Sequence, residues 1–197
     1  MIWIIFLAIA MGFSVGYMWF PLDIKETLDV ILMNALNIMV VIAGIEIGSQ
    51  RHLVKKMLSF KAIGLIVSVP LGTIVGSLLG GSLVGFLLGM NHYDAILVSA
   101  GLGWYSLSSV VIATSYSTEV GTIAFITNVL REILSFVLIP FLARFTQLPC
   151  VAIGGATTMD STLPVILKAT NMQVGIVAFL NGLTLTLVVP ILLQYLL

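Results

Sequence analysis

Charge is what this sequence has least of. Only 8% of its 197 residues are Asp, Glu, Lys or Arg, and eight bases cancel eight acids to a formal net charge of zero. A soluble domain carries about 25% charged residues, so this composition does not suit a water-facing surface. It also leaves no basic face to meet nucleic acid. Cysteine is nearly absent: Cys150 stands alone, which excludes an internal disulfide framework. The two histidines, His52 and His92, sit apart and offer no metal-ligand spacing. No cofactor is expected beyond a coupling ion, H+ or Na+. Phosphate-cradling motifs of the GxGxxG or GxxxxGK type do not occur. Neither Gly-x-Ser-x-Gly nor His-Glu-x-x-His is present, and a paired-aspartate protease needs a second intramembrane aspartate beside Asp160. An intramembrane enzyme is therefore disfavoured. The first segment lacks a charged n-region and a small-residue cleavage site, so it reads as a retained helix rather than a signal peptide.

What the chain does have is apolar length. Hydrophobic residues make up 60% of it, and its mean hydropathy is +1.21. A membrane helix needs about 20 apolar residues, which predicts an all-α polytopic membrane protein, one transmembrane domain over residues 1–197 with no soluble domain. Seven apolar segments are expected: Ile2–Phe20, Leu28–Gly48, Ala62–Met90, Ala95–Ser115, Thr122–Ala143, Val151–Ala169 and Val174–Leu196. The third is long enough to be strongly tilted, or broken near Pro70–Gly72 or Gly80–Gly81. The fourth and sixth are the least uniformly apolar, and either is a candidate to be re-entrant.

Arg51, Lys55, Lys56 and Lys61 crowd one short connection, which the positive-inside rule places in the cytoplasm. If every segment crosses, the Pro21–Glu26 loop and the Asn91–Asp94 turn are external and the Tyr116–Gly121 turn is internal. Arg144 then falls outside, Lys168 inside and the C-terminus outside, with a cytoplasmic N-terminus.

Ionisable residues inside apolar runs are the most informative positions, because a charge at helix centre costs about 2.5–3.5 kcal/mol on insertion scales. Asn128, Arg131 and Glu132 interrupt the fifth segment. Adjacent helical residues point about 100° apart, so Arg131 and Glu132 need not pair with each other. Either this is an ion pair joining helices, or Glu132 is a proton or cation site with Arg131 tuning it or binding a carboxylate. The sixth segment carries Gly154, Gly155, Thr157, Thr158, Asp160, Ser161, Thr162 and Pro164, a poor continuous helix. Such a stretch is tolerated at membrane depth only inside protein or along a cavity, and broken helices of this kind build transporter sites. The plainer alternative is a proline kink whose hydroxyls satisfy their own turn, although a kink needs no Asp160. In the fourth segment Trp104, Tyr105, Ser106, Ser108 and Ser109 follow Gly101 and Gly103, joining aromatic faces suited to a cation with hydroxyl donors suited to a carboxylate. Glu46 either snorkels to the nearby interface or adds to the site. Asn34 and Asn37 are as consistent with helix–helix contact as with ligand contact.

Three blocks in this order, Gly103-Trp104-Tyr105-Ser106-Leu107-Ser108, then Asn128 with Arg131-Glu132 and Leu138-Ile139-Pro140, then Gly155 to Pro164, resemble the bacterial lysine exporter family called LysO. Leu187–Leu192 is similar to that family's last helix. The resemblance implies a prokaryotic inner-membrane transporter exporting L-lysine and its analogues in exchange for protons or another cation, with an essential carboxylate at Glu132. Family members usually carry further helices ahead of the matched part. The resemblance thus implies either pairing with a small membrane protein that supplies them, toward a ten-helix inverted-repeat transporter, or action alone as an oligomer. Rival readings are a non-catalytic subunit of a two-part transporter, or a carrier of another cationic or small amino acid. In the expected mechanism the lysine carboxylate meets backbone amides and hydroxyls near Ser106–Ser109 or Thr157–Thr162. Its ammonium groups meet Glu132, Asp160 and the rings of Trp104 or Tyr105.

Overall fold

The computed structural model describes residues 2–19, isolated helical positions between 27 and 49, and residues 60–197. Glu46, Asn37 and the basic residues Arg51, Lys55 and Lys56 lie outside the described residues. The continuously described helices are α1 (Ile2–Trp19), α2 (Phe60–Leu87), α3 (His92–Ser99), α4 (Tyr105–Ser115), α5 (Thr118–Leu142), α6 (Pro149–Gly154), α7 (Leu163–Ala169) and α8 (Met172–Leu196), with a 3-10 turn at Gly155–Met159 between α6 and α7. The chain is an all-α polytopic membrane protein.

Among the described residues three helices, α2, α5 and α8, are long and apolar enough to cross a membrane. At 25 to 28 residues each, they reach about 38–42 Å at the helical rise, more than the roughly 30 Å of a bilayer core. Of the two alternatives for the third segment, the broken helix is not the one found. α2 runs unbroken through Pro70 and Gly80–Gly81, as backbone exposed to lipid must to keep its polar groups bonded.

The fourth and sixth segments behave differently. α3 has 8 residues and α4 has 11; α6 and α7 have 6 and 7. Arms of about 9–17 Å reach only about half-way through the hydrocarbon. Each pair folds back on itself. Tyr116, just past the end of α4, donates its hydroxyl to Asp94 Oδ1 at 2.8 Å, and its ring meets Tyr93 edge-on at 5.4 Å. That hydrogen bond raises the Tyr116 pKa above the ordinary tyrosine value. Asn171, just past α7, donates to Gln147 Oε1, just before α6, at 2.7 Å. Both segments are therefore re-entrant hairpins. The expectation that the Asn91–Asp94 and Tyr116–Gly121 turns lie on opposite faces is corrected: they share one face. Arg144 and Lys168, expected on opposite faces, likewise share the other.

The hairpins come from opposite sides. Leu97, Ile112 and Val120 pack with Leu185 and Leu193 near the end of α8, whereas Cys150, Val151 and Ile166 pack with Ile139 and with Val174 at its start. The order long helix, hairpin, long helix thus occurs twice, with α5 shared between the two and the hairpins entering from opposite ends. Asn91, Ser117 and Asn171 cap α3, α5 and α8 by accepting from the amides of Tyr93, Val120 and Val174. By contrast Trp104 and Thr162, which start α4 and α7 at the hairpin tips, provide no side-chain cap.

Candidate functional site

The two tips touch. Ala156 N–H donates to Leu102 O at 2.9 Å, joining one hairpin to the other. Leu102 and Gly103 hold φ of 49° and 100°, and Gly155 holds 64°. Positive φ is rare for a bulky residue such as Leu, and fully buried Leu102 adopts it where its carbonyl serves the opposite hairpin. A Cβ on Gly155 would collide with that carbonyl, and one on Gly103 would come within 3.1 Å of Gly154 O. Glycine is required at both points by conformation and by close approach.

Polar residues from the long helices hold the tips. Asn128 Oδ1 accepts from Gly103 N–H at 2.7 Å, while its Nδ2 donates to Val98 O at 3.2 Å and to Ala124 O at 2.9 Å. Arg131, nearly one turn further along α5, donates from Nε to Ile153 O at 2.9 Å and from Nη2 to Ala152 O at 2.8 Å. Its Nη1 donates to Ser77 Oγ on α2 at 3.0 Å. A cation at the C-terminal end of α6 offsets the partial negative charge of the last carbonyls. The guanidinium is thus turned to backbone rather than to Glu132, unlike the expected tuning role.

Glu132 faces the second hairpin. Its carboxylate accepts from Ser161 Oγ, and Ser161 N–H donates to Asp160 Oδ1 at 2.5 Å. Two carboxylates from different elements therefore converge on one serine. The charged neighbour that Glu132 experiences is Asp160, and among the described residues no cation pairs with either acid. Tyr105 lies within electrostatic reach of both, its ring set edge-on to Phe125 at 5.6 Å. Trp104 and Ser106 line an open groove of about 370 Å³ together with Leu107, Val110 and Val111.

Most of the expected hydroxyls serve their own turns. Ser108 and Ser109 donate to Trp104 O and Tyr105 O at 2.8 and 2.6 Å. Thr157, Thr158 and Thr162 donate to Gly154 O, Gly155 O and Thr157 O at 2.8–2.9 Å. Ser161 differs, because its hydroxyl reaches a carboxylate on another helix.

A sequence model of the family described as lysine exporter LysO matches residues 6–197. The chain belongs to that family. The Lysine exporter LysO of Escherichia coli (strain K12) is 32% identical over 160 residues, covering 81% of this chain and 52% of that protein. A "Putative lysine exporter" of Haemophilus influenzae (strain ATCC 51907 / DSM 11121 / KW20 / Rd) is 39% identical over 121 residues, covering 61% of this chain and 62% of that protein. The chain thus spans about half to three fifths of the length of these two relatives. No solved structure matches. Membership of the LysO family points to transport rather than catalysis.

Two residues of this LysO-family site escape a reading of the sequence. Ser77 receives the Arg131 guanidinium, and Asn181 on α8 donates to Gly155 O and Thr158 Oγ1 at 3.1 and 3.0 Å. Each is a single uncharged polar residue in an apolar run, the weak signal by which both were there to be found.

Proposed function

We propose that this chain carries L-lysine and lysine analogues out of a prokaryotic cell across its inner membrane, in exchange for protons or another cation. The observation that carries this reading is the convergence of Glu132 and Asp160 on Ser161 without a cationic partner among the described residues. An acid pair at membrane depth is costly alone, and a substrate ammonium group supplies the charge it lacks. The names of the two LysO-type relatives support lysine as that substrate.

In this mechanism the ammonium binds the acid pair beside Tyr105, and the substrate carboxylate meets the amides of the first turn of α4, which start at Trp104 without a side-chain cap. Those amides carry the positive end of the helix dipole. Protonation of Glu132 from the external face weakens the ammonium's hold and releases it there. The two inverted hairpins supply a gate on each side of one central site. Orientation follows from charge. With both hairpins re-entrant, Arg51, Lys55, Lys56, Lys61, Arg144 and Lys168 fall on one face and Lys25 on the other, six bases against one. The six-base face is cytoplasmic, the N-terminus lies with it, and the C-terminus is external.

Counterflow of labelled lysine into proteoliposomes tests the substrate. Lysine-loaded vesicles should accumulate label, and norleucine, which lacks the ε-ammonium, should compete only at concentrations about tenfold higher or more. Equal transport of both molecules, or no accumulation beyond protein-free vesicles, would reject lysine as the cargo.

A further inference from the structure

Asn181 lies fully buried in α8, and among the described residues its Oδ1 is the buried side-chain polar atom without a hydrogen-bond partner. The orientation of its amide is fixed by chemistry. Nδ2 faces Gly155 O, and a carbonyl can only accept, so turning the amide over would set two acceptors against each other. The orphan is therefore an acceptor, and a buried acceptor left unmet costs free energy. Asn128 on α5 makes the comparison informative, because it stands against the first hairpin tip as Asn181 stands against the second. There the oxygen accepts from Gly103 N–H at 2.7 Å. At the second tip the backbone forms a 3-10 turn, Gly155–Met159, and delivers no amide to Asn181. The fold is saturated on one side and open on the other, where the same amide donates to Thr158, two residues before Asp160.

We infer that Asn181 is a further substrate-binding residue, whose amide oxygen accepts a hydrogen bond from an ammonium group of the transported molecule. The inference rests on the lysine reading above. Lysine has two ammonium groups; the acid pair holds one and Asn181 Oδ1 takes a proton of the other. The acceptor stands open because it is filled only on loading.

Ligand-induced shifts in the unfolding temperature of the purified full chain test this, using lysine, norleucine (no ε-ammonium) and 6-aminohexanoate (no α-ammonium) as probes. In Asn181→Leu the apparent affinity for lysine should fall about tenfold or more, as loss of a charge-assisted hydrogen bond implies. One analogue should weaken with it, and the other, which lacks the ammonium that Asn181 holds, should be unchanged. Equal weakening of all three ligands would make Asn181 a purely structural residue and overturn the inference. No change in any would assign Oδ1 to a buried water and overturn it equally. If Asn181→Leu does not fold, Asn181→Ser, which removes the amide oxygen but keeps a donor toward Gly155 O or Thr158 Oγ1, should show the same selective loss; equal weakening of all three ligands in that variant, or no change in any, also overturns it. A wild-type chain that responds to none of the three probes would overturn the lysine reading itself.

Discussion

A guanidinium at the middle of a membrane helix is stable only where its donors are met. In this chain Arg131 meets helix-end carbonyls, at Ile153 and Ala152, and Ser77. Its role is to hold the second hairpin against α2 and α5. Arg131→Met should therefore lower the unfolding temperature, with a loss of about 3 kcal/mol for charge-assisted bonds, and Arg131→Lys should recover part of it through a single carbonyl contact. An Arg131→Met protein with wild-type unfolding and reduced lysine affinity would show the cation acting on substrate instead. The charged residues stood out in the sequence because charge in an apolar run is expensive, and Glu132 and Asp160 do come together. Their meeting through Ser161 was not legible, since it joins helices 29 positions apart in sequence. The partners of Arg131 were not legible either, because carbonyl partners leave no mark in a sequence, and Asn181 was hidden because a lone amide among apolar residues is common in membrane helices.

The hairpins are where composition and architecture diverge. Glycine, proline and hydroxyl residues marked the fourth and sixth segments as weak helices, and both are interrupted. Re-entrance of either segment could be expected from the sequence, but that both reverse direction was not legible, because it depends on contacts between Tyr116 and Asp94 and between Asn171 and Gln147 rather than on periodicity. In α2 the same punctuation produced no break: Thr73 Oγ1 donates to Val69 O beside Pro70 at 2.8 Å, and the helix continues. Gly80 and Gly81 in α2 do not break it, whereas Gly101 and Gly103 mark a true interruption, so glycine alone does not decide. Gly155 is a point where an element can be tested singly. A methyl there meets Leu102 O and must hold a positive φ that side chains rarely adopt, costing about 1–3 kcal/mol before the clash is counted. Gly155→Ala should abolish lysine counterflow and lower the unfolding temperature, whereas Gly72→Ala, with open space around the added carbon, should change neither. Normal transport by Gly155→Ala would mean the tips need not touch.

Across the whole molecule, two opposed hairpins reduce the crossings among the described residues 60–197 to α2, α5 and α8, and alter which loops share a face. With Cys150 replaced by Ala, single cysteines at Leu88 and Ser115 should react together with an impermeant thiol reagent added to intact cells. Cysteines at Phe145 and Lys168 should stay protected until the membrane is opened. Labelling of Leu88→Cys without Ser115→Cys would restore a membrane-crossing fourth segment and separate the tips. An acid pair left open for a cation beside the tips of the two hairpins is the centre of the proposed mechanism. Its most direct test is lysine counterflow by Glu132→Gln, reconstituted at an amount of inserted protein matched to wild type. Transport should be lost across the full pH range although neutralising the carboxylate eases insertion; wild-type rates across that range would contradict the account.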